Sequence, residues 1–270
     1  MDAFPAFIPL AGRTVVVIGE GEPADAKARL FDGAPCHVLR LAGSGVTPSL
    51  LADAVLIFIG LPDGPELDHA LAVARATAAL VNVVDRPELC DFATPSIVDR
   101  GMVVGAIGTG GSAPVLATRL RQQLEALWPA RLGELARLLK DAQGAIRGRF
   151  PDLVRRRAFL RAALDGRPAE LALAGDTDGA AAALTRALDD ASETRVGGVW
   201  LLSVGTSPDD LTLADLRRLG AADRVVVKGR VSEAVLAFAR RDAPRTVAAS
   251  DSDLADWVAA GEQVAVLEAR

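Results

Sequence analysis

Short β-branched runs alternate with helical apolar spacing along the first hundred residues. That alternation restricts the fold more than any other feature. Arg13-Thr14-Val15-Val16-Val17-Ile18-Gly19 reads as a strand running into a glycine turn. Pro23 to Phe31 reads as a helix, Cys36 to Leu41 as a second strand and Ala54 to Gly60 as a third. Leu67 to Ala79 has helical spacing, Leu80 to Val84 reads as a fourth strand, and Met102 to Ile107 as a fifth. Strands alternating with helices predict a parallel, doubly wound, Rossmann-like α/β sheet over residues 1–112.

The character changes at Pro114. Helices are expected at 114–127, 131–147, 151–164 and 178–191, with no strand pattern between them. Residues 113–194 therefore read as a helical domain. From 195 to 270 a small α/β segment follows. It has strands at Val199–Gly205, Arg224–Lys228 and Gln263–Leu267, and helices at Ala214–Leu219 and Glu233–Arg240.

Composition excludes several function classes. Net charge is −5, which offers nothing global to nucleic acid or to an anionic membrane. No charge-free apolar window of about 20 residues is present, so no membrane span is expected. No signal peptide is read at the N-terminus, and a cytoplasmic protein is the default expectation. Two cysteines and two histidines are too few for a disulfide scaffold or a classical metal cage, so no metal ligands are assigned. Locally the balance reverses. Between 113 and 167 twelve Lys or Arg stand against five Asp or Glu. That excess suits either an anionic ligand or a solvated helical face.

Two motifs carry chemistry. Gly19-Glu20-Gly21-Glu22-Pro23-Ala24 is a G-x-G-x-x-A between a strand and a helix, the context of a dinucleotide loop. Glu20 and Glu22 put negative charge beside the expected phosphates. Arg40 and Leu41 end the second strand where an acidic residue usually holds the ribose. An arginine there suits a 2′-phosphate. A structural corner and a cofactor loop both stay open on these residues. The second motif is Asn82-Val83-Val84-Asp85. Asp85 closes a buried strand at its carboxyl end, where open α/β sheets bind ligands. A turn-capping role fits Asp85 as well.

Three stretches, FPAFIPLAGRTVVVIGEGEPADAKARL, NVVDRPELCDFATPSIVDR and VVGAIGTGGSAPVLATRLRQQLEALWP, occur in this order. Together they resemble the precorrin-2 dehydrogenase/sirohydrochlorin ferrochelatase family, the N-terminal module of siroheme synthase, over residues 1 to about 190. The resemblance implies oxidation of precorrin-2 with NAD, then insertion of ferrous iron, as substrate, into sirohydrochlorin to give siroheme. It implies that Asp85 serves both steps. It makes Gly19, Gly21, Glu22, Pro23, Leu41 and Ala42 the cofactor-binding candidates. Asn82, Arg100, Thr109, Gly110, Gly111, Ser112, Arg119 and Arg121 become the candidates for the carboxylate-rich tetrapyrrole. Thr109 aligns with a serine that some members phosphorylate. The resemblance also implies a homodimer, with the helical domain serving dimerisation and substrate binding.

The departures from the family pattern cluster around the dinucleotide. Glu20, Pro23 and Ala26 replace a glycine, a valine and an arginine, while Lys27 is kept. Two alternatives follow: a chelatase that has lost NAD, or a non-catalytic tetrapyrrole-binding protein. The stretch VWLLSVGTSPDDLTLADLRRLGAADRVVVKG resembles the start of a uroporphyrinogen-III methyltransferase domain. The chain stops near where the S-adenosylmethionine loop would begin, so no methyltransferase activity is expected of it. A dimer or docking element, or a vestige, is the expectation instead.

Overall fold

A computed structural model describes residues 2–190 and 196–269. Ala191, the predicted end of one helix, and the predicted 194/195 boundary lie outside the described residues. The chain forms two compact units, Met1–Pro129 and Ala130–Arg270.

The first unit opens with β1 (Thr14–Ile18), α1 (Glu22–Arg29), β2 (His37–Leu41), α2 (Pro48–Leu51), β3 (Ala54–Ile59), α3 (Pro65–Arg75) and β4 (Leu80–Val83). The four strands form one parallel sheet in the order β2-β1-β3-β4. Alternate residues of β1 and β3 serve opposite faces. Val16, Ile18, Ile57 and Ile59 pack with Leu67, Ala70 and Ala74 of α3. Val15, Val17, Leu56 and Phe58 pack on the other face with Ala24 of α1. Burial on both faces explains why these strands read as unbroken apolar runs. The chain leaves β1 toward β2 and returns past it to β3, so the ligand-binding reversal of strand order lies between β1 and β3.

The predicted fifth parallel strand is corrected. Val103–Ile107 (β6) pairs antiparallel with Ser96–Arg100 (β5) in a separate two-stranded sheet. Only Gly101 and Met102 connect them, and Gly101 is left-handed at φ 74°. Two residues close a hairpin but cannot make a parallel crossover. Helix α4 (Pro114–Leu127), read from sequence as the start of the helical domain, packs on both hairpin strands within the first unit. A Cβ on Gly105 of β6 would stand 2.8 Å from the Trp128 ring, so glycine makes room for that indole.

The second unit begins with five helices: α5 (Leu132–Asp141), α6 (Gln143–Arg149), α7 (Leu153–Leu164), α8 (Arg167–Ala174) and α9 (Thr177–Asp189). The single helix expected over 131–147 is two, separated at Ala142. Helix α8 was not expected. Strand β7 (Gly198–Val204), α10 (Leu213–Ala221), β8 (Arg224–Lys228), α11 (Glu233–Leu236), β9 (Arg245–Val247), α12 (Asp251–Ala259) and β10 (Gln263–Ala269) follow. Their strands form a parallel sheet in the order β7-β10-β8-β9. No helix among the described residues is long and apolar enough to cross a membrane.

Much of the basic excess in 113–167 is engaged within its own unit. Arg157 pairs with Asp242, Arg161 donates to the carbonyl of Ala221, and Arg131 donates to the carbonyl of Ala174. Arg156 holds the carbonyls of Phe150 and Pro151. These contacts favour the structural side of the two sequence readings for these four arginines.

Candidate functional site

Two features stand at the carboxyl ends of the parallel strands. The first is a cleft of about 330 Å³ lined by Gly19, Glu20, Ala42, Gly43, Ser44, Gly60, Leu61, Pro62 and Glu66. It sits at the reversal of strand order. Gly19 (φ 120°) hugs the end of β3, and a Cβ there would stand 2.4 Å from the carbonyl oxygen of Gly60. A Cβ on Gly60 would in turn stand 3.0 Å from the backbone N of Ala24 in α1. Only glycines let strand end, turn and helix approach this closely. Gly21 (φ 75°) ends the turn, and no side chain caps α1. Pro23 has no N–H, so the donors the start of α1 can offer an anion are those of Glu22 and Ala24.

Of the predicted cofactor residues, Gly19 and Ala42 line the cleft. Gly21, Glu22, Pro23 and Leu41 flank it in the turn, at the start of α1 and at the end of β2. Glu22 pairs with Arg29 along α1, at 2.5 Å. Arg40 pairs with Asp25 at 2.7 Å. Sequence reasoning missed Gly43, Gly60 and Glu66. They come from three separate segments, and no local spacing joins them.

The second feature is the turn after β4. Asp85 has φ 59°, a left-handed backbone that costs a non-glycine residue roughly 1 kcal/mol and that Asp tolerates better than most. The turn is pinned on both sides. Val84 N donates to Ile59 O at 2.9 Å, and Arg86 N donates to Val83 O at 3.2 Å. Arg86 also pairs with Asp63. Beneath the turn lies Cys90. Its sulfur accepts from Val83 N at 3.2 Å and stands within donating distance of Val83 O (3.2 Å) and Arg86 O (3.1 Å). The single thiol proton serves one of those carbonyls at a time. Asp85 itself is exposed.

Asn82, a predicted substrate contact, is buried under this turn. Its Nδ2 donates to Phe92 O at 2.9 Å, and its Oδ1 has no partner. Lys27 of α1 completes the neighbourhood. Its ammonium donates to Thr94 Oγ1 at 3.2 Å and lies 5.8 Å from the centre of the Phe58 ring. Burial lowers the Lys27 pKa below the ordinary value of 10.5, against the opposing pull of Cys90 and Asp85. Lys27 thus lies within electrostatic reach of Asp85, on the helix that begins at the glycine turn. The sequence marks Lys27 only as a position kept from the family pattern, with no role assigned to it.

The remaining predicted residues lie on the hairpin and α4. Thr109, Gly110, Gly111 and Ser112 form a turn with two successive left-handed glycines, at φ 60° and 77°. Ser112 N and Oγ both donate to Thr109 O. Ala113 leads into α4 with no side-chain cap. Arg100 donates to the carbonyl of Glu125, and Arg121 pairs with the Glu125 carboxylate at 2.8 Å. Arg119 is exposed on α4. No hydrogen bond or ion pair among the described residues joins the 109–112 turn to the Asp85 turn. No three His, Cys, Asp or Glu side chains among the described residues are grouped to hold a metal ion.

Comparison with known proteins follows this division. Residues 131–188, which are α5 to α9, match the family described as "Sirohaem synthase dimerisation region". Residues 6–96 match the family described as "Putative NAD(P)-binding". The siroheme synthase of Methylococcus capsulatus is 39% identical over 93% of this chain, and that of Thioalkalivibrio sulfidiphilus 35% identical over 94%. Over more than nine tenths of its length this chain is similar to siroheme synthases. It spans 58% and 56% of the length of those two relatives. A solved precorrin-2 dehydrogenase, SirC, superposes with a TM-score of 0.56 at 16% identity, over 70% of this chain and all of that one. At that identity the likeness is one of fold.

Proposed function

We propose that this chain oxidises precorrin-2 to sirohydrochlorin with NAD and then inserts ferrous iron into sirohydrochlorin to give siroheme. The observation that carries this reading is Asp85, held left-handed and exposed at the end of β4, with α1 running from the glycine turn to Lys27 in its electrostatic reach.

The chain's residues fit a dinucleotide. Gly19, Gly21 and the uncapped start of α1 would hold the pyrophosphate, and Ala42 and Gly43 would flank the adenosine. Glu20 lowers the attraction for phosphate but does not fill the cradle. When bound, NAD supplies a hydride acceptor. Asp85 takes the proton that leaves the macrocycle as the hydride departs. During metal insertion Asp85 receives protons from the pyrrole nitrogens, two of which leave as ferrous iron enters. The iron is substrate, and an exposed carboxyl that stands in no group of three metal-ligating side chains among the described residues suits an ion that must leave with the product. The 109–112 turn and Arg119 would bind the substrate's peripheral carboxylates. Arg100, which donates to the carbonyl of Glu125, would hold the hairpin against α4, and Arg121, paired with the Glu125 carboxylate along α4, would reach the substrate at its rim.

We assign the working form as a cytoplasmic homodimer built through residues 131–188, acting on tetrapyrroles and not on nucleic acid; the match of that segment to a dimerisation region supports the dimer. The test is an anaerobic assay of the purified chain with precorrin-2, NAD and ferrous iron, followed by absorbance. Formation of sirohydrochlorin and then siroheme supports the reading. Iron insertion without NAD-dependent oxidation would favour the chelatase alternative.

A further inference from the structure

We infer that Glu66 is the cofactor-specificity residue of this chain: it takes the place of the missing carboxylate at the end of β2 and makes the cleft select NAD over NADP. The inference rests on the proposed dinucleotide reading of the cleft and goes beyond it.

In a Rossmann-type site the acidic residue at the end of the second strand accepts hydrogen bonds from the adenosine ribose. Here β2 ends in Leu41 and continues into Ala42, Gly43 and Ser44, with no acid. The carboxylate arrives from elsewhere. Glu66 lies in the first turn of α3, beyond β3, and lines the same cleft as Ala42, Gly43 and Ser44. A Cβ on Gly43 would stand 2.7 Å from Glu66 Oε2, so the carboxylate reaches the backbone just past β2. Glycine at 43 is what allows that approach. Glu66 is exposed and has no hydrogen-bond or ion-pair partner among the described residues, which leaves both oxygens for a ligand.

The cations near this point do not offset it. Arg40, the side chain suited to a 2′-phosphate, is paired with Asp25 at 2.7 Å and does not line the cleft. No Lys or Arg lines the cleft. A ribose with free 2′ and 3′ hydroxyls can donate to Glu66. A 2′-phosphate brings further negative charge against Glu66 with nothing to neutralise it. Glu20 lines the cleft too, but it belongs to the turn between β1 and α1, on the pyrophosphate side. Its charge opposes both dinucleotides alike.

The experiment is calorimetric titration of the full chain with NAD and with NADP, in the wild type, Glu66→Gln and Glu20→Gln. The wild type is expected to bind NAD and to bind NADP far more weakly. Glu66→Gln is expected to weaken NAD and strengthen NADP, narrowing their dissociation-constant ratio by at least about tenfold. Glu20→Gln is expected to tighten both and leave the ratio within about twofold, since its charge acts on the shared pyrophosphate. A ratio unmoved by Glu66→Gln, or moved equally by Glu20→Gln, overturns the inference while leaving the cofactor reading intact. Absence of binding by either dinucleotide in all three proteins overturns the cofactor reading and the inference with it. Circular dichroism on each variant confirms that the exposed substitutions leave the fold unchanged.

Discussion

Cys90 Sγ stands 3.1 Å from the carbonyl oxygen of Arg86, and it also touches both backbone groups of Val83. The sulfur therefore closes the turn from both sides of Asp85. Cys90→Ala removes those contacts and leaves buried backbone groups unpaired, at a cost of about 1–3 kcal/mol. Asp85 also loses its fixed direction. Iron insertion is expected to slow by about tenfold or more, as for a displaced catalytic group. Urea unfolding and a stopped-flow insertion assay measure the two effects separately.

Gly19 and Gly21 are both left-handed, yet they tolerate change unequally. Gly19→Ala drives a Cβ to 2.4 Å from the Gly60 carbonyl oxygen. Gly21→Ala meets nothing within 4 Å, so only its backbone conformation opposes it. Gly21→Ala is expected to cost about 1–3 kcal/mol, because its backbone (φ 75°, ψ −172°) is one that glycine adopts almost alone, but to leave the contact of strand and turn in place. Gly19→Ala is expected to cost at least about 2 kcal/mol and to abolish dinucleotide binding, because the strand must move off the turn. Thermal unfolding and NAD titration of both variants check the contrast.

Asp91 links α3 to β4. It accepts from Val81 N at 2.9 Å and pairs with Arg75. The Val81 hydrogen bond first, and Arg75 second, hold its pKa below the ordinary 3.8. A depressed carboxyl stabilises the fold above the unfolded value and loses that contribution as pH falls through the folded value. The wild type should therefore lose stability below about pH 4 more steeply than Asp91→Asn, which should be the less stable protein at pH 7. Urea midpoints measured from about pH 2.5 to about pH 7 report the difference.

Lys27 gives a pH slope of the same sign from a different cause, burial of its charge. Burial lowers its pKa in the folded protein, so the unfolded chain holds the extra proton between that value and 10.5. Stability should rise with pH across that window, since raising pH removes the cost of burying the charge. Lys27→Met should lack that rise and should be at least as stable as the wild type at neutral pH. Urea unfolding from neutrality upward tests this.

Much of this architecture is legible in the chain. β1, β3 and β4 are buried on both sides or at the sheet's centre, so they read as apolar runs, and β8 matches its expected bounds. The hairpin is hard to read from sequence because Ser96-Ile97-Val98-Asp99-Arg100 alternates weakly and β6 alone looks like one more parallel strand. The two-residue connection is the physical cue against that reading. Helix α12 carries a Ser250/Asp253 capping box, a signal that the short polar segment around it obscures. At the site, Asp85 was legible as a carboxyl at a strand end. Its left-handed backbone was not, because the strain is imposed by Ile59, Val83 and Cys90. Glu66 was not legible because its relation to Gly43 exists only once α3 has packed on the sheet.

The most direct test of the central claim is Asp85→Asn. Asparagine shares aspartate's tolerance of the left-handed backbone, so the turn keeps its shape while the carboxyl is lost. Precorrin-2 oxidation and iron insertion are measured on the same purified variant, with NAD affinity as the control. The account predicts that both rates fall by at least about a hundredfold while NAD affinity is unchanged. Either rate persisting at the wild-type level would contradict the claim that one carboxyl serves both steps.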